Sequence, residues 1–236
     1  MKKLITGLMA LLSVLSMQSL KAQTADEVIS KYEIAMGGKE KLLSIKTVKM
    51  TGNLSVQGID VGVTNTVVNG VGSRNDISVP GMGEGFQVVN TTKGWNFMPF
   101  QGQTSPEEIS ASQLKLSQGM LDLQGVLLNY KEKGSTVELL GKENVDGAES
   151  YKLKLTDKDG KLYTIFIDTK TFYRVKTISK AATSQGEKDV EVVYGDFRKT
   201  DDGFVFPYTQ TNPKGVITWS SIEVNKSVDE KIFTVN

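Results

Sequence analysis

The period of the apolar residues changes along the chain, and each change marks a structural boundary. Thr24-Ala25-Asp26-Glu27 reads as a capping box, with Thr24 at N-cap and Glu27 at N3. Val28, Ile29, Tyr32, Ala35 and Met36 then recur at helical spacing until Gly37-Gly38 stops the helix. A second helical turn over 39–45 turns Leu42, Leu43 and Ile45 inward. From Lys46 the period becomes two: Val48, Met50, Gly52 and Leu54 alternate with polar residues, as in a half-buried strand. Further strands are expected over 60–71, 74–79, 85–91 and 94–100, separated by turns at Gly58, Gly70, Gly72, Pro80-Gly81, Gly83 and Lys93-Gly94.

The alternation then breaks. Ser105-Pro106-Glu107-Glu108 has the form of a helix start, and Leu114, Leu116, Met120, Leu121, Leu123, Leu127, Leu128 and Tyr130 follow in helical or heptad spacing. Gly119 and Gly125 interrupt them, so two or three short helical pieces are expected between 106 and 132. Strands return over 135–143, 147–157, 161–168, 172–181, 187–199, 203–211 and 215–225, with hairpin signals at Asp146-Gly147 and Asp159-Gly160. Short connections imply antiparallel pairing, and about a dozen strands must curl. The fold class expected is α+β and mainly antiparallel β. One strongly curved half-barrel sheet should carry the inserted helices across its concave face.

The opening segment bears on the compartment. Lys2-Lys3, the apolar run from Leu4 to Leu15 and the small residue Ala22 have the layout of a secretory signal peptide. The apolar run is shorter than the roughly 20 residues a membrane span needs. Cleavage is expected after Ala22, leaving residues 23–236 as a single domain. Losing Lys2, Lys3 and Lys21 takes the formal charge from +1 to −2, with 25 basic against 27 acidic residues. No basic stripe suggests nucleic acid. The chain has no cysteine and no histidine. Disulfides, a thiol-linked lipid anchor, Ser-His-Asp or Cys-His catalysis and the usual zinc sites are all excluded.

Candidate chemistry is sparse. Asp157-Lys158-Asp159-Gly160 lacks the later acidic ligand of a calcium loop and reads as a hairpin turn. Gly81-Met82-Gly83-Glu84-Gly85 precedes a strand, where a phosphate-cradling loop needs a helix. Asp196 and Arg198 share a strand face and read as a structural pair able to reach across strands. No carboxylate couple stands out for acid–base work, and no metal or cofactor is expected. What remains is apolar excess: Gly94-Trp95-Asn96-Phe97-Met98-Pro99-Phe100, the Leu/Met-rich helices, and Phe204, Phe206 and Tyr208 at alternate positions.

Several segments together resemble LolA/LolB-like proteins, and most nearly the LolA-like outer-membrane lipoprotein-sorting proteins of the Bacteroidetes. They include Lys93 to Phe100 ahead of the helical insertion, the opening Tyr32 to Gly38 with Lys41-Leu42, and Val48-Lys49-Met50-Thr51-Gly52. Tyr130 to Gly134, Gly141 to Gly147, Gly195-Asp196-Phe197-Arg198 with Asp202 to Pro207, and Val224-Asn225 with Val228-Asp229 and Ile232-Phe233 continue the match. The resemblance implies a half-barrel closed by helices around a cavity for acyl chains. It also implies a monomeric periplasmic carrier of lipids or lipoproteins, dealing with inner- and outer-membrane transport components and performing no catalysis. A basic residue early in the sheet would hold the lid helices, and Arg74 is the matching candidate. Burying an acyl chain yields about 0.8 kcal/mol per CH₂, so a dry cavity suffices without a catalytic group.

The expected lipid contacts are Trp95, Phe97, Met98, Leu114, Met120, Leu121, Phe86 and Phe206. In the strand 94–100, Trp95 and Phe97 are expected to face the cavity. Met98 and Phe100 form the alternative set, because alternation alone does not choose between faces. Two other readings stand beside the carrier. One is an envelope structural or interaction module whose core is filled by its own side chains. The other is an enzyme acting on envelope lipids or glycans.

Overall fold

The computed structural model describes residues 23–183 and 186–235, so the expected signal segment lies outside the described residues. Helices α1 (Ala25–Ala35) and α2 (Lys39–Leu43) lead into β1 (Thr47–Val56), β2 (Ile59–Val68), β3 (Gly72–Val79), β4 (Gly83–Asn90), β5 (Gly94–Phe97) and β6 (Glu107–Glu108). An insertion containing α3 (Ala111–Gln118) follows. The chain then runs through β7 (Thr136–Val145), β8 (Ala148–Thr156), β9 (Leu162–Asp168), β10 (Arg174–Thr183), β11 (Gly186–Lys199), β12 (Val205–Asn212) and β13 (Gly215–Val224). All strands belong to one curved, 13-stranded sheet in the order β6-β5-β4-β3-β2-β1-β13-β12-β11-β10-β9-β8-β7.

This order is two meanders joined at β1–β13. The first runs outward from β1 to the edge at β6. The second starts at the opposite edge with β7 and returns until β13 pairs with β1. The insertion between β6 and β7 therefore has to cross the whole width of the sheet. It does so over the concave face, as the half-barrel reading expects.

Local chemistry explains the elements. Thr24 and Glu27 form the capping box: the Thr24 hydroxyl accepts from the Glu27 amide, and Glu27 Oε2 accepts from the Thr24 amide at 3.0 Å. Gln57-Gly58 and Asp146-Gly147 both have positive φ at their two residues, as the tight hairpins β1–β2 and β7–β8 require. The expected helix start at Ser105 is corrected. Glu107 and Glu108 instead pair with Asn96 and Trp95 as a two-residue edge strand. Gly94 leaves room for Ile109 beside it, since a Cβ there would come within 2.6 Å of Ile109 Cδ1. Helix α3 starts later, at Ser110, which forms its own capping box with Gln113. After a 3-10 turn at Gly119–Leu121, residues 122–134 run as successive turns. Phe100, expected in a strand, lies in a 3-10 turn over Pro99–Gln101.

Two apolar clusters lie on the concave face. In one, Val28 and Ile29 of α1 and Leu127 of the insertion pack on Tyr151, Leu153 and Leu155 of β8 and Ile165 and Ile167 of β9. Leu153, Leu155, Ile165 and Ile167 are fully buried, each stabilising by about 1.5–3 kcal/mol relative to exposure. The other joins Ile45, Val48, Val63, Phe204, Trp219, Ile222 and Val224. A third, smaller cluster is on the opposite face, where Phe233 packs on Val68 and Val88.

Asn225 clamps the two meanders together. It has φ +56°, and its Oδ1 accepts from the Lys46 amide at 2.7 Å while Nδ2 donates to the Ser44 carbonyl at 3.1 Å. Asn225→Ala should lower the unfolding free energy by about 1–2 kcal/mol in a urea titration, because it removes hydrogen bonds open to solvent and puts alanine in the left-handed region. An unchanged midpoint would show that the clamp does not hold the meanders.

Candidate functional site

The strand register decides which side chains face the covered side. In β1, Val48, Met50 and Leu54 share a face with Val224, Ile222 and Ile217 of β13 and with Val67, Asn65 and Val61 of β2. Continuing outward, Asn65, Asn75, Gln87 and Asn96 lie opposite one another. Phe204, Phe206 and Tyr208 continue the same face on β12. Arg74, Asp76, Phe86, Trp95 and Phe97 occupy the alternate positions and point to the convex side.

The expectation that Trp95 and Phe97 face the cavity is therefore corrected. Trp95 and Phe86 pack against the small convex cluster together with Val228, Ile232 and Val235 of the C-terminal segment. The Phe86 and Phe97 rings stand 5.7 Å apart. Arg74 is also on that side. Its Nε donates to Asp76 Oδ1 at 2.8 Å, its Nη1 to the Ile232 carbonyl at 3.2 Å, and its guanidinium lies 4.4 Å from the Phe86 ring centroid. It latches the C-terminal segment, not the inserted helix. A Cβ at Gly72 would overlap the Phe233 ring, so the segment sits tight on β3. A convex groove of about 530 Å³ runs beside Arg74, Phe86 and Phe97.

The other expected contacts divide. Phe206 packs on the floor cluster around Trp219. Met120 and buried Leu121 belong to the 3-10 turn after α3, and Leu114 is half-buried on α3. Met98 follows β5, where its amide donates to Gln103 Oε1 at 2.6 Å. The register thus favours the alternative face, through Asn96 and the residues in step with it, over the Trp95 face.

Beneath the insertion the concave face is not filled. A cavity of about 230 Å³ lies between Ser117 and Met120 above and Asn75, Gln87, Gln210 and Trp219 below. A larger cleft of about 720 Å³ separates Leu116 and Gly119 from Asp157, Lys161 and Tyr163 at the β8–β9 turn. Leu116 and Met120 are 51% and 52% exposed, so the insertion presents apolar side chains to these openings.

The insertion is tethered at several points. Gln118 Nε2 donates to the Thr91 carbonyl at 2.8 Å, and the Gly70 amide donates to the Leu121 carbonyl at 2.8 Å. The Leu123 amide donates to Asn69 Oδ1 at 2.9 Å. At the far end Tyr130 and Lys131 both donate to Asp26 of α1, at 2.6 and 2.7 Å. The Lys131 hydrogen bond, followed by the one from Tyr130, holds the Asp26 carboxyl below its ordinary range. Between Gly119 and Gly125 the segment is short of regular structure, which suits a movable cover.

Sequence reasoning missed Arg174 and Trp219. Arg174 faces the concave side opposite Ile167, with its guanidinium 4.6 Å from the Tyr194 ring centroid. Burial opposes its charge, but the nearby Tyr194 and Tyr32 outweigh burial and raise its pKa. Among the described residues it has no carboxylate partner. Trp219 is 5% exposed on the floor, and its Nε1 has no hydrogen-bond acceptor among the described residues. Asp196 and Arg198 pair along one strand instead of across strands. Among the described residues no group of three or more Asp or Glu could hold a metal ion.

No protein-family model matches the sequence, and no curated protein matches it. Solved structures do. A LolA superfamily protein from Nitrosomonas europaea superimposes with a TM-score of 0.56 at 18% identity, covering 91% of this chain and 99% of that one. A DUF1329 family protein from Desulfovibrio piger gives 0.56 at 15% identity, covering 88% and 97%. A candidate outer membrane lipoprotein-sorting protein domain from Vibrio parahaemolyticus gives 0.54 at 13% identity, covering 88% and 94%. The chain has a LolA-like fold.

The Asp26 tether generates a prediction. Because its folded pKa is lowered, the tether is complete above the ordinary aspartate range and is lost as pH falls through the lowered value. The Lys133, Gly134 and Ser135 amides, which donate to the Asn129, Lys131 and Tyr130 carbonyls, should lose protection relative to the intrinsic exchange rate in Asp26→Ala, and in the parent as the pH enters that range. Identical protection in the two proteins at neutral pH would show that the tether does not hold the insertion.

Proposed function

We propose that the protein is an exported carrier that holds the acyl chains of a lipid or lipoprotein against the concave face of its sheet. The observation that carries this reading is open volume beneath the tethered insertion, which turns Leu116 and Met120 toward it. A module with a filled core would have no such space. The floor cluster from Phe204 through Trp219 and Ile222 to Val48 supplies an apolar bed next to the openings. Each methylene moved from water to such a bed contributes about 0.8 kcal/mol, so binding needs no catalytic group. One structural neighbour is a candidate lipoprotein-sorting domain, which is in keeping with this role.

In the same reading the signal peptide is removed after Ala22, and the mature chain works as a monomer in the periplasm. It receives its cargo from inner-membrane lipoprotein-transport components and delivers it to outer-membrane ones. The contacts with cargo come from Phe206, Met120, Leu121, Leu114 and Met98, together with Trp219.

The two tryptophans make a clean test, because they lie on opposite faces. Adding a fatty acid to delipidated protein should shift the tryptophan emission. The shift should persist in Trp95→Phe and vanish in Trp219→Phe. Leu116→Asp should weaken uptake of a fluorescent fatty acid about tenfold or more, since it puts a charge where an acyl chain would lie. Failure of the delipidated parent to take up any lipid would refute the carrier reading.

A further inference from the structure

The covered face changes character across its width. Around β12, β13 and β1 it is apolar. From β2 to β5 it carries a row of amides. Asn65 lies opposite Asn75, Asn75 opposite Gln87, and Gln87 opposite Asn96, so four amide side chains stand side by side on neighbouring strands, about 5 Å from one to the next. None of the four has a side-chain hydrogen bond among the described residues. All four are half-buried, and their amide atoms, unlike Trp219 Nε1, stay open to the cavity and solvent; they stand free to meet a ligand, and nothing in the sheet's own pairing requires them.

The first three of these amides line the 230 Å³ cavity, together with Gln210 and the buried hydroxyl residues Ser73 and Ser117. Trp219 lines it too, and its buried Nε1 has no acceptor. The site is neutral as well. From β5 through β1 and β13 to β12, the charged side chains Arg74, Asp76, Glu84, Lys49 and Glu223 all sit on the opposite face. No charged residue lines the cavity; on the covered face the nearest charges by register are Glu107 at the far edge, opposite Asn96, and Arg198 on β11, opposite Phe206 and already paired with Asp196.

We infer that this cavity binds a neutral polyhydroxylated headgroup, a sugar, of an amphiphile whose chains lie on the adjacent apolar floor. The inference rests on the carrier reading and names the class of cargo. An amide presents both a donor and an acceptor, and so does a hydroxyl. A phosphate only accepts, so it would leave the amide oxygens unmatched and find no cation among these strands. The small cavity also suits a compact ring better than an extended peptide.

The test compares lipids that share the same dioctanoylglycerol chains and differ in headgroup: glucose, phosphoglycerol or none. A dioctanoylated lipopeptide is the fourth probe. Each competes with a fluorescent fatty acid on delipidated protein. The glucosyl lipid should bind about tenfold more tightly than the other three, equivalent to one or two net hydrogen bonds. The double variant Asn75→Leu, Gln87→Leu, checked for folding by its thermal melt, should bring the four affinities within about twofold. Equal binding of all four by the parent overturns the sugar site and leaves the carrier intact. Preference for phosphoglycerol or the lipopeptide overturns it as well, and so does a folded double variant that keeps the preference. Absence of all binding overturns both readings.

Discussion

The pairing of β1 with β13 is the constraint on which the rest of the molecule depends. It joins two meanders that would otherwise be separate sheets, and it leaves β6 and β7 at opposite edges. The join is close. Gly52 lies at an irregularity in the register, where any Cβ would overlap the Thr218 carbonyl, and Asn225 ties the ends of both strands to the chain entering β1. Because β6 and β7 are far apart, the chain between them must cross the sheet. A crossing segment with apolar residues on a curved apolar face makes a covered chamber. The cover is thus a consequence of connectivity.

The two faces divide the chemistry. Charged residues on β1, β3 and β4 point outward, and Arg74 and Asp76 hold the C-terminal segment there. The small convex cluster buries the aromatic bulk of Trp95 and Phe86. The concave face keeps apolar residues near the β1–β13 join and amides toward the β5 edge. Apolar bulk alternating on both faces of β5 therefore reflects two different partners: a C-terminal segment outside and the covered chamber inside.

Much of the fold was legible in local patterns because the forces involved are local. The capping box at Thr24, the stop at Gly37-Gly38 and the Asp146-Gly147 hairpin depend on a few adjacent residues. Alternation placed nearly every strand to within a few residues. The helix start at Ser105 misled, because Glu107 and Glu108 gain more as an edge strand beside β5 than as a first helical turn. The amide row left a readable signal. Asn65 interrupts the apolar parity of Val61, Val63 and Val67, and Gln87 does the same between Gly85 and Val89. Only the register shows that these interruptions meet.

The sequence by itself determined a histidine-free and cysteine-free chain, a curled antiparallel sheet and an apolar insertion in its middle. Composition and short-range periodicity suffice for those. Which face of each strand is covered was decided by the tertiary structure alone. A strand's period of two divides its side chains into two sets without saying which set meets the insertion. That choice depends on where the C-terminal segment lies and where the crossing segment passes. Trp95 went outward because Phe233 and Ile232 return to the convex side, and Trp219 went inward because β13 closes against β1.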